Sequence, residues 1–264
     1  MYVDSHCHLS FPALRAQLPQ IRDAMRAAKV VQALVICTTL EEFEAVHSLA
    51  LNDAELWASV GVHPDNEGVQ EPDTATLVEL ANRPRVVALG ETGLDYFRLG
   101  ERTLADMHWQ RERLRVHVQA ARTVKKPLII HTRNASADTL RILQEEGARE
   151  VGGVFHCFTE TAEVARAALD LGFHISFSGI ITFRNAEALR DVAREVPLDR
   201  CLIETDSPYL APAPYRGKTN SPAYVPWVAA ELARVKGLDV EAVAEATSTN
   251  FRRLFRIPAP INPA

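Results

Sequence analysis

Several things are scarce in this sequence, and each shortage excludes a class of protein. There are four cysteines in 264 residues, and none forms a close pair that would suggest zinc or redox work. Cys7, Cys37, Cys157 and Cys201 each lie in or beside an apolar run and read as buried, reduced thiols. No stretch approaches the ~18 apolar residues needed to span a bilayer. The opening Met-Tyr-Val-Asp lacks the basic region and apolar run of a signal peptide, so a cytoplasmic enzyme or binding protein is expected, with no membrane association. Positive charge is also short. A net charge of −5 argues against a broad basic groove that neutralises many phosphates, so any nucleic-acid contact must be local. Linkers, repeats and low-complexity runs are missing, and no Gly-x-Gly-x-x-Gly follows a strand pattern, which tells against a doubly wound dinucleotide-binding sheet.

What is present is a normal 47% hydrophobic content, enough for a sizeable core, arranged in a regular alternation. Short β-branched runs recur at Tyr2–His6, Ala33–Thr38, Leu56–Val60, Val86–Glu91, Leu128–His131, Gly153–His156, Phe173–Phe177 and Cys201–Thr205. Between them lie helical patterns at Leu14–Met25, Leu104–Val124, Thr139–Glu146, Val164–Leu171 and Leu189–Val196. Eight such alternations in about 250 residues predict an α/β fold, the (β/α)8 TIM barrel, as a single domain over residues 1–258. Two further helices, Tyr224–Lys236 and Val240–Phe255, are expected to complete the outer layer, and residues 259–264 form a Pro-containing loose tail.

In a barrel of this kind the chemistry stands at the C-terminal ends of the strands. Strand one ends in His6-Cys7-His8, strand four in Gly90-Glu91, strand five in His131-Thr132-Arg133 and strand six in His156-Cys157-Phe158. Strand eight ends in Glu204-Thr205-Asp206. Strand alternation points Asp4, His6 and His8 to one side and Ser5 and Cys7 to the other. Imidazoles and carboxylates converging on one mouth form a mixed N/O set suited to divalent metals, and they exceed the needs of one tetrahedral ion. Two ions ~3.5–4 Å apart, bridged by a carboxylate such as Glu91, fit better. His47, His108, His117 and His174 lie away from the strand ends and read as structural. Asp4 either braces a ligand or merely opens its strand, and Glu204 reads as support behind Asp206.

The segments "DSHCHL", "GETGLDY", "HTR", "HCF", "ETDSPYL" and "RGKTNSP" together resemble, in order and spacing, the TatD family of metal-dependent deoxyribonucleases. The likeness runs from the first strand to about Phe255. It implies a barrel holding two divalent cations through His6, His8, Glu91, His131, His156 and Asp206. Glu91 would touch both ions, His6, His8 and Asp206 would complete one site, and His131 and His156 the other. A related branch of these barrels bridges its metals with a carboxylated lysine on strand four. Here the lysines are Lys29, Lys125, Lys126, Lys218 and Lys236, none at that position, so that chemistry is not expected.

Around the metals, Arg133, Asp95, Tyr96, Arg184, Arg216, Lys218 and Asn220 are candidate substrate contacts, with Arg133 the best phosphate contact because it shares a face with His131. His63, in "GVHP", could protonate a leaving oxygen, bind a phosphate or cap a turn. Tyr96, Phe97, Phe158, Phe183, Tyr209 and Tyr215 offer base-stacking surfaces, at least half of them expected to be packing. The leading expectation is hydrolysis of DNA phosphodiesters, 3′–5′ exonuclease-like, on single strands or frayed ends. Magnesium, manganese, zinc, nickel or cobalt would serve as the ions, and Glu91, Asp206 and His63 are the catalytic candidates, with Asp206 accepting the proton of the attacking water. The enzyme would act as a monomer on DNA or short oligonucleotides without an obligate protein partner. Hydrolysis of a small amide, lactone or phosphoester is the second reading, and a barrel that binds metal or nucleotide without turnover is the third.

Overall fold

In the computed structural model, which describes residues 1–258, eight strands lie side by side in sequence order, every neighbouring pair parallel. They are β1 (Tyr2–Cys7), β2 (Val30–Val35), β3 (Leu56–Val60), β4 (Val86–Asp95), β5 (Leu128–Arg133), β6 (Gly153–Phe155), β7 (Phe173–Phe177) and β8 (Cys201–Ile203). A parallel bridge between Cys7 and Ser207, and a 2.9 Å bond from Asp206 N–H to the His6 carbonyl, join the last strand to the first. The sheet is the expected (β/α)8 barrel. The tail expected at 259–264 lies outside the described residues.

The helices are α1 (Pro12–Arg15), α2 (Leu18–Ala27), α3 (Phe43–Asn52), α4 (Thr74–Ala81), α5 (His108–Val124) and α6 (Ser136–Glu145), followed by α7 (Ala162–Asp170), α8 (Glu187–Glu195), α9 (Val225–Lys236) and α10 (Val240–Phe255). Local chemistry sets their ends. The Asp73 carboxylate accepts from Thr76 N–H at 2.8 Å and starts α4, and Gly237, at φ 65°, stops α9 in the left-handed conformation that glycine adopts freely. The single helix expected over Leu14–Met25 is two, because Pro12 and Pro19 each stand at a helix start, where a missing N–H costs nothing. β2 begins three residues earlier than its apolar run suggests, and β4 continues past Glu91 to Asp95.

Two cores result. One fills the space between sheet and helices, with Val35, Leu56, Leu89, Ile130 and Phe155 facing Leu77, Leu114, Ile142 and Leu232. The other lies inside the barrel, where Val3, Leu34, Val87, Ile129, Val154 and Leu202 pack with Phe251, Phe255 and Ile257. α9 belongs to the outer layer as expected, but α10 does not simply extend it. Asn250 in α10 donates to the carbonyls of Leu198 (2.8 Å) and Cys201 (2.9 Å), and Ser248 reaches the Met1 carbonyl, so this helix seals the barrel floor at the N-terminal ends of β1 and β8. With an apolar floor, the polar residues are left to the opposite end.

His117 shows what a structural histidine looks like here. Its Nε2 accepts from Val62 N–H at 3.1 Å, Nδ1 lies 2.8 Å from the Arg113 carbonyl, and burial pushes its pKa down to about 4. The fold therefore binds the neutral ring. Its contribution is complete above the unfolded value near 6.5 and is lost as pH falls toward 4, about 3 kcal/mol in all. Denaturant midpoints at pH 7.5 and 4.5 should fall further in the wild type than in His117→Gln; parallel losses would dismiss the effect.

Candidate metal centre at the barrel mouth

The first strand does not keep strict alternation. Asp4 pairs with Ala33 and Cys7 with Val35, three steps on β1 against two on β2, so a bulge lies between them. Ser5, expected to face away, shares the inward face of Val3 and bonds the Ile203 carbonyl (2.9 Å) and the Ser176 hydroxyl (3.1 Å). His6 and His8 still both reach the mouth. Asp4 holds no imidazole; it accepts from Thr205 N–H (2.9 Å) and Thr205 Oγ1 (2.6 Å) and so braces the exit of β8, which carries Asp206.

Glu91 stands at the centre, buried, with its two oxygens facing different neighbours. Oε2 lies 3.3 Å from His6 Nε2 and 3.9 Å from His8 Nε2. Oε1 lies 2.7 Å from His156 Nε2, 3.2 Å from His131 Nδ1 and 3.3 Å from His63 Nε2. Asp206 Oδ1 closes the first group, 3.3 Å from His8 Nε2 and 3.6 Å from His6 Nε2. All six expected ligands thus meet at one place, together with His63.

The far side of each ring decides what its near side can do. His131 Nε2 meets Asp95 Oδ2 at 3.0 Å, and His156 Nδ1 meets Glu204 Oε1 at 3.2 Å. Each carboxylate fixes a proton on its own side and leaves the opposite nitrogen with a lone pair aimed at the centre, the arrangement of a histidine ligand. Glu204 therefore supports His156, and its Oε1 also accepts from Cys157 N–H at 2.9 Å. His63 is wired the other way. Asp65 N–H donates to its Nδ1 at 3.0 Å, so the neutral ring carries its proton on Nε2, facing Glu91. That makes His63 a donor toward the centre.

The residues fit divalent ions on their own evidence. Both nitrogens of His6 and Nδ1 of His8 are buried without a hydrogen-bond partner, which is costly unless something else takes the lone pairs. His6–Glu91–His8, His6–His156–Asp206 and His63–Glu91–His131 each bring ligand atoms within 4.8 Å of one another. Burial alone would raise the Glu91 pKa, but His156, His63 and His6 outweigh it and hold the carboxylate well below its usual range. Burial likewise opposes charge on His156, yet Glu91 and Glu204 lift it well above an ordinary histidine. Carboxylates ready to be charged beside buried imidazoles form a site that exchanges protons for cations.

The mouth above this centre is a cavity of about 640 Å³. Arg133 lines it, with its guanidinium stacked 3.5 Å from the Phe97 ring. Other expected substrate contacts are engaged elsewhere. Asp95 lines the mouth but spends its oxygens on His131 and on Phe97 N–H (2.9 Å), and Tyr96 is buried with its hydroxyl on Asp138 at 2.8 Å. Asn220 is buried and staples the carbonyls of Thr205 (2.8 Å) and Tyr209 (2.6 Å). Arg216 is exposed and stacks 3.8 Å from Phe183, beyond the lining residues. Of the aromatic candidates, Phe158 is core, whereas Phe97 and Tyr209 are exposed at the rim. Sequence reasoning did not single out Phe11, stacked 4.6 Å from His8, although an aromatic three residues past a ligand histidine was there to be seen.

This geometry has relatives. The sequence profile of TatD-related DNases matches residues 3–256. The uncharacterized metal-dependent hydrolase YcfH of Escherichia coli K12 is 49% identical over 97% of this chain and 96% of its own length. The protein named 3′-5′ ssDNA/RNA exonuclease TatD in Escherichia fergusonii is 32% identical over 88% of this chain and 90% of its own length. The crystal structure of the TatD homolog YjjV from Escherichia coli K12 superposes with a TM-score of 0.89 at 28% identity, covering 97% of this chain and 98% of that one. The chain belongs to the TatD-related DNase family of metal-dependent hydrolases.

Proposed function

We propose that the barrel mouth would hold two divalent cations through His6, His8, Glu91, His131, His156 and Asp206, and that the enzyme uses them to hydrolyse phosphodiester bonds of DNA from the 3′ end of single strands or frayed duplex ends. The observation that carries this reading is the division of Glu91, one oxygen toward His6 and His8 and the other toward His131 and His156. His6, His8 and Asp206 would complete one site, His131 and His156 the other. Manganese, zinc, nickel and cobalt, as first-row divalent ions, suit a mixed N/O set, and the carboxylates would also tolerate magnesium. When bound, such ions polarise a phosphoryl oxygen and lower the pKa of water.

The chain's own groups supply the rest. Asp206 turns Oδ1 to His8 and His6, and its side chain lines the mouth, which leaves the second oxygen for the proton of the attacking water. His63, with Nε2–H aimed inward, donates to a phosphate oxygen or to the leaving 3′-oxygen. Arg133, held against Phe97, presents its forked donors to a phosphate. A cavity of about 640 Å³ accommodates an end or an unpaired strand better than an intact duplex, and the relative named as a 3′-5′ ssDNA/RNA exonuclease points the same way. We assign the enzyme to the reducing cytoplasm, where four unpaired thiols are at home, and read it as a monomer. No helix among the described residues is long and apolar enough to cross a membrane.

The test is purified protein with each of the five metals in turn, on end-labelled single- and double-stranded oligonucleotides beside an amide and a lactone. Single strands should be shortened from the 3′ end, and chelation should stop this while the cooperative thermal transition persists. Amide or lactone turnover with oligonucleotides untouched would overturn the reading in favour of a small-molecule hydrolase. Metal and oligonucleotide binding with no turnover of any substrate would mean a non-catalytic barrel. Arg133→Ala should raise the KM for oligonucleotide about tenfold, the worth of a hydrogen bond to a charged group, with metal content unchanged. An equal effect on a neutral ester would remove Arg133 from phosphate recognition.

A further inference from the structure

Beyond the mouth, on the side of β7 and β8, lies a second surface that the chemistry above does not use. Ile180 and Leu210 line the mouth, and just outside them Phe183 carries the Arg216 guanidinium at 3.8 Å. Next to it the rings of Tyr215 and Tyr224 stack at 3.9 Å and 1°, and Trp227, 45% exposed, meets Tyr215 edge-on at 6.0 Å. Lys218 stands 5.8 Å above the Tyr215 ring.

Three cations gather on this surface without a carboxylate partner among the described residues. Arg113, Arg115, Arg122, Arg190 and Arg234 are each paired with a carboxylate, as most arginines of this acidic protein are. Arg184, Arg216 and Lys218 are exposed and make no ion pair among the described residues. The support beneath them is firm. Asn220 staples the loop to Thr205 and Tyr209, Ala213 N–H donates to Thr182 Oγ1 at 2.8 Å, and a Cβ on Gly179 would fall 2.0 Å from the Leu210 carbonyl. Planar rings and unpaired cations held on a fixed loop beside an opening are what a single-stranded polyanion with flat bases requires. The arginine-on-aromatic pair also recurs on the other side of the mouth, as Arg133 on Phe97.

We propose that the strand extending out of the mouth lies along this surface, its bases stacking on the exposed Trp227 and on the Arg216 guanidinium plane held over Phe183, and its phosphates meeting Arg184 and Lys218. The proposal rests on the nuclease reading and adds to it a grip on single-stranded nucleic acid away from the bond being cut. Substrates long enough to reach the track should then bind more tightly than short ones.

The test is steady-state kinetics of the intact, metal-loaded protein on three substrates: bis(p-nitrophenyl) phosphate, a four-nucleotide and a fifteen-nucleotide oligothymidylate. In Trp227→Ala the KM for the fifteen-mer should rise about tenfold, the usual worth of one stacked base, with kcat unchanged. Turnover of the four-mer and of the small diester should stay at wild-type values. Arg216→Glu should raise the fifteen-mer KM further and flatten its dependence on salt. Wild-type KM values for the fifteen-mer in both variants would overturn the track and leave the nuclease reading standing. A wild-type protein that cleaves the small diester but no oligonucleotide would overturn the nuclease reading, and the track with it.

Discussion

Glu91→Gln should empty the mouth of metal and silence the enzyme in the same preparation. The native carboxylate turns a negative oxygen toward each group of imidazoles, and an amide cannot do so for both. Gln also presents an N–H₂ to one of the two groups, where lone pairs already face inward. Loss of the ions removes several kcal/mol of transition-state charge stabilisation, so turnover should fall about 10³–10⁴-fold. The accompanying measurement is metal content by mass spectrometry. His6→Ala should deplete the metal as well. A Glu91→Gln protein that keeps two ions would show that the bridge lies elsewhere.

Asp206→Asn should separate holding a metal from moving a proton. The amide keeps an oxygen for coordination and loses the basic site, so both ions should largely remain while kcat drops ~10²–10⁴-fold, with little change in substrate binding. His63 is the control for this assignment. Its Nδ1 is occupied by Asp65 N–H and its Nε2 carries the proton, so it is poorly placed to accept another. An Asp206→Asn variant with both ions and near wild-type kcat would return the proton to His63 and require that tautomer to be reversed.

The barrel and the clustering of polar side chains at its mouth were legible in the sequence because both depend on period and position. Strand ends are marked by where apolar runs stop, and His6, His8, Glu91, His131, His156 and Asp206 all stand there. Some elements were not legible. α4 buries little beyond Leu77 and Ala81, too few for a helical stripe, and α3 includes a histidine, His47, in the stripe formed by Phe43, Val46 and Ala50. The bulge in β1 has no local signature, since it follows from pairing with β2 and was invisible until the register was known. Substrate contacts were the hardest. Asp95, Tyr96 and Asn220 are polar residues near the mouth, as a ligand-binding set would be, but their partners lie 36, 42 and 15 residues away. Only the folded chain shows that each is already bound to protein.

The sealed floor ties the completion of the barrel to α10, which is made well after the strand it plugs. Phe251 and Phe255 fill the interior against Val3, and β1 gains its second neighbour only when the Cys7–Ser207 bridge forms. At ~5–20 residues per second a ribosome needs roughly 13–50 seconds to pass from β1 to the end of α10. For most of that time the growing sheet has an open edge and an unplugged end, both adhesive to other chains. The barrel therefore closes only after its last strand and α10 have been made. Its yield in the cell should depend on chaperones that cover β1 until α10 arrives.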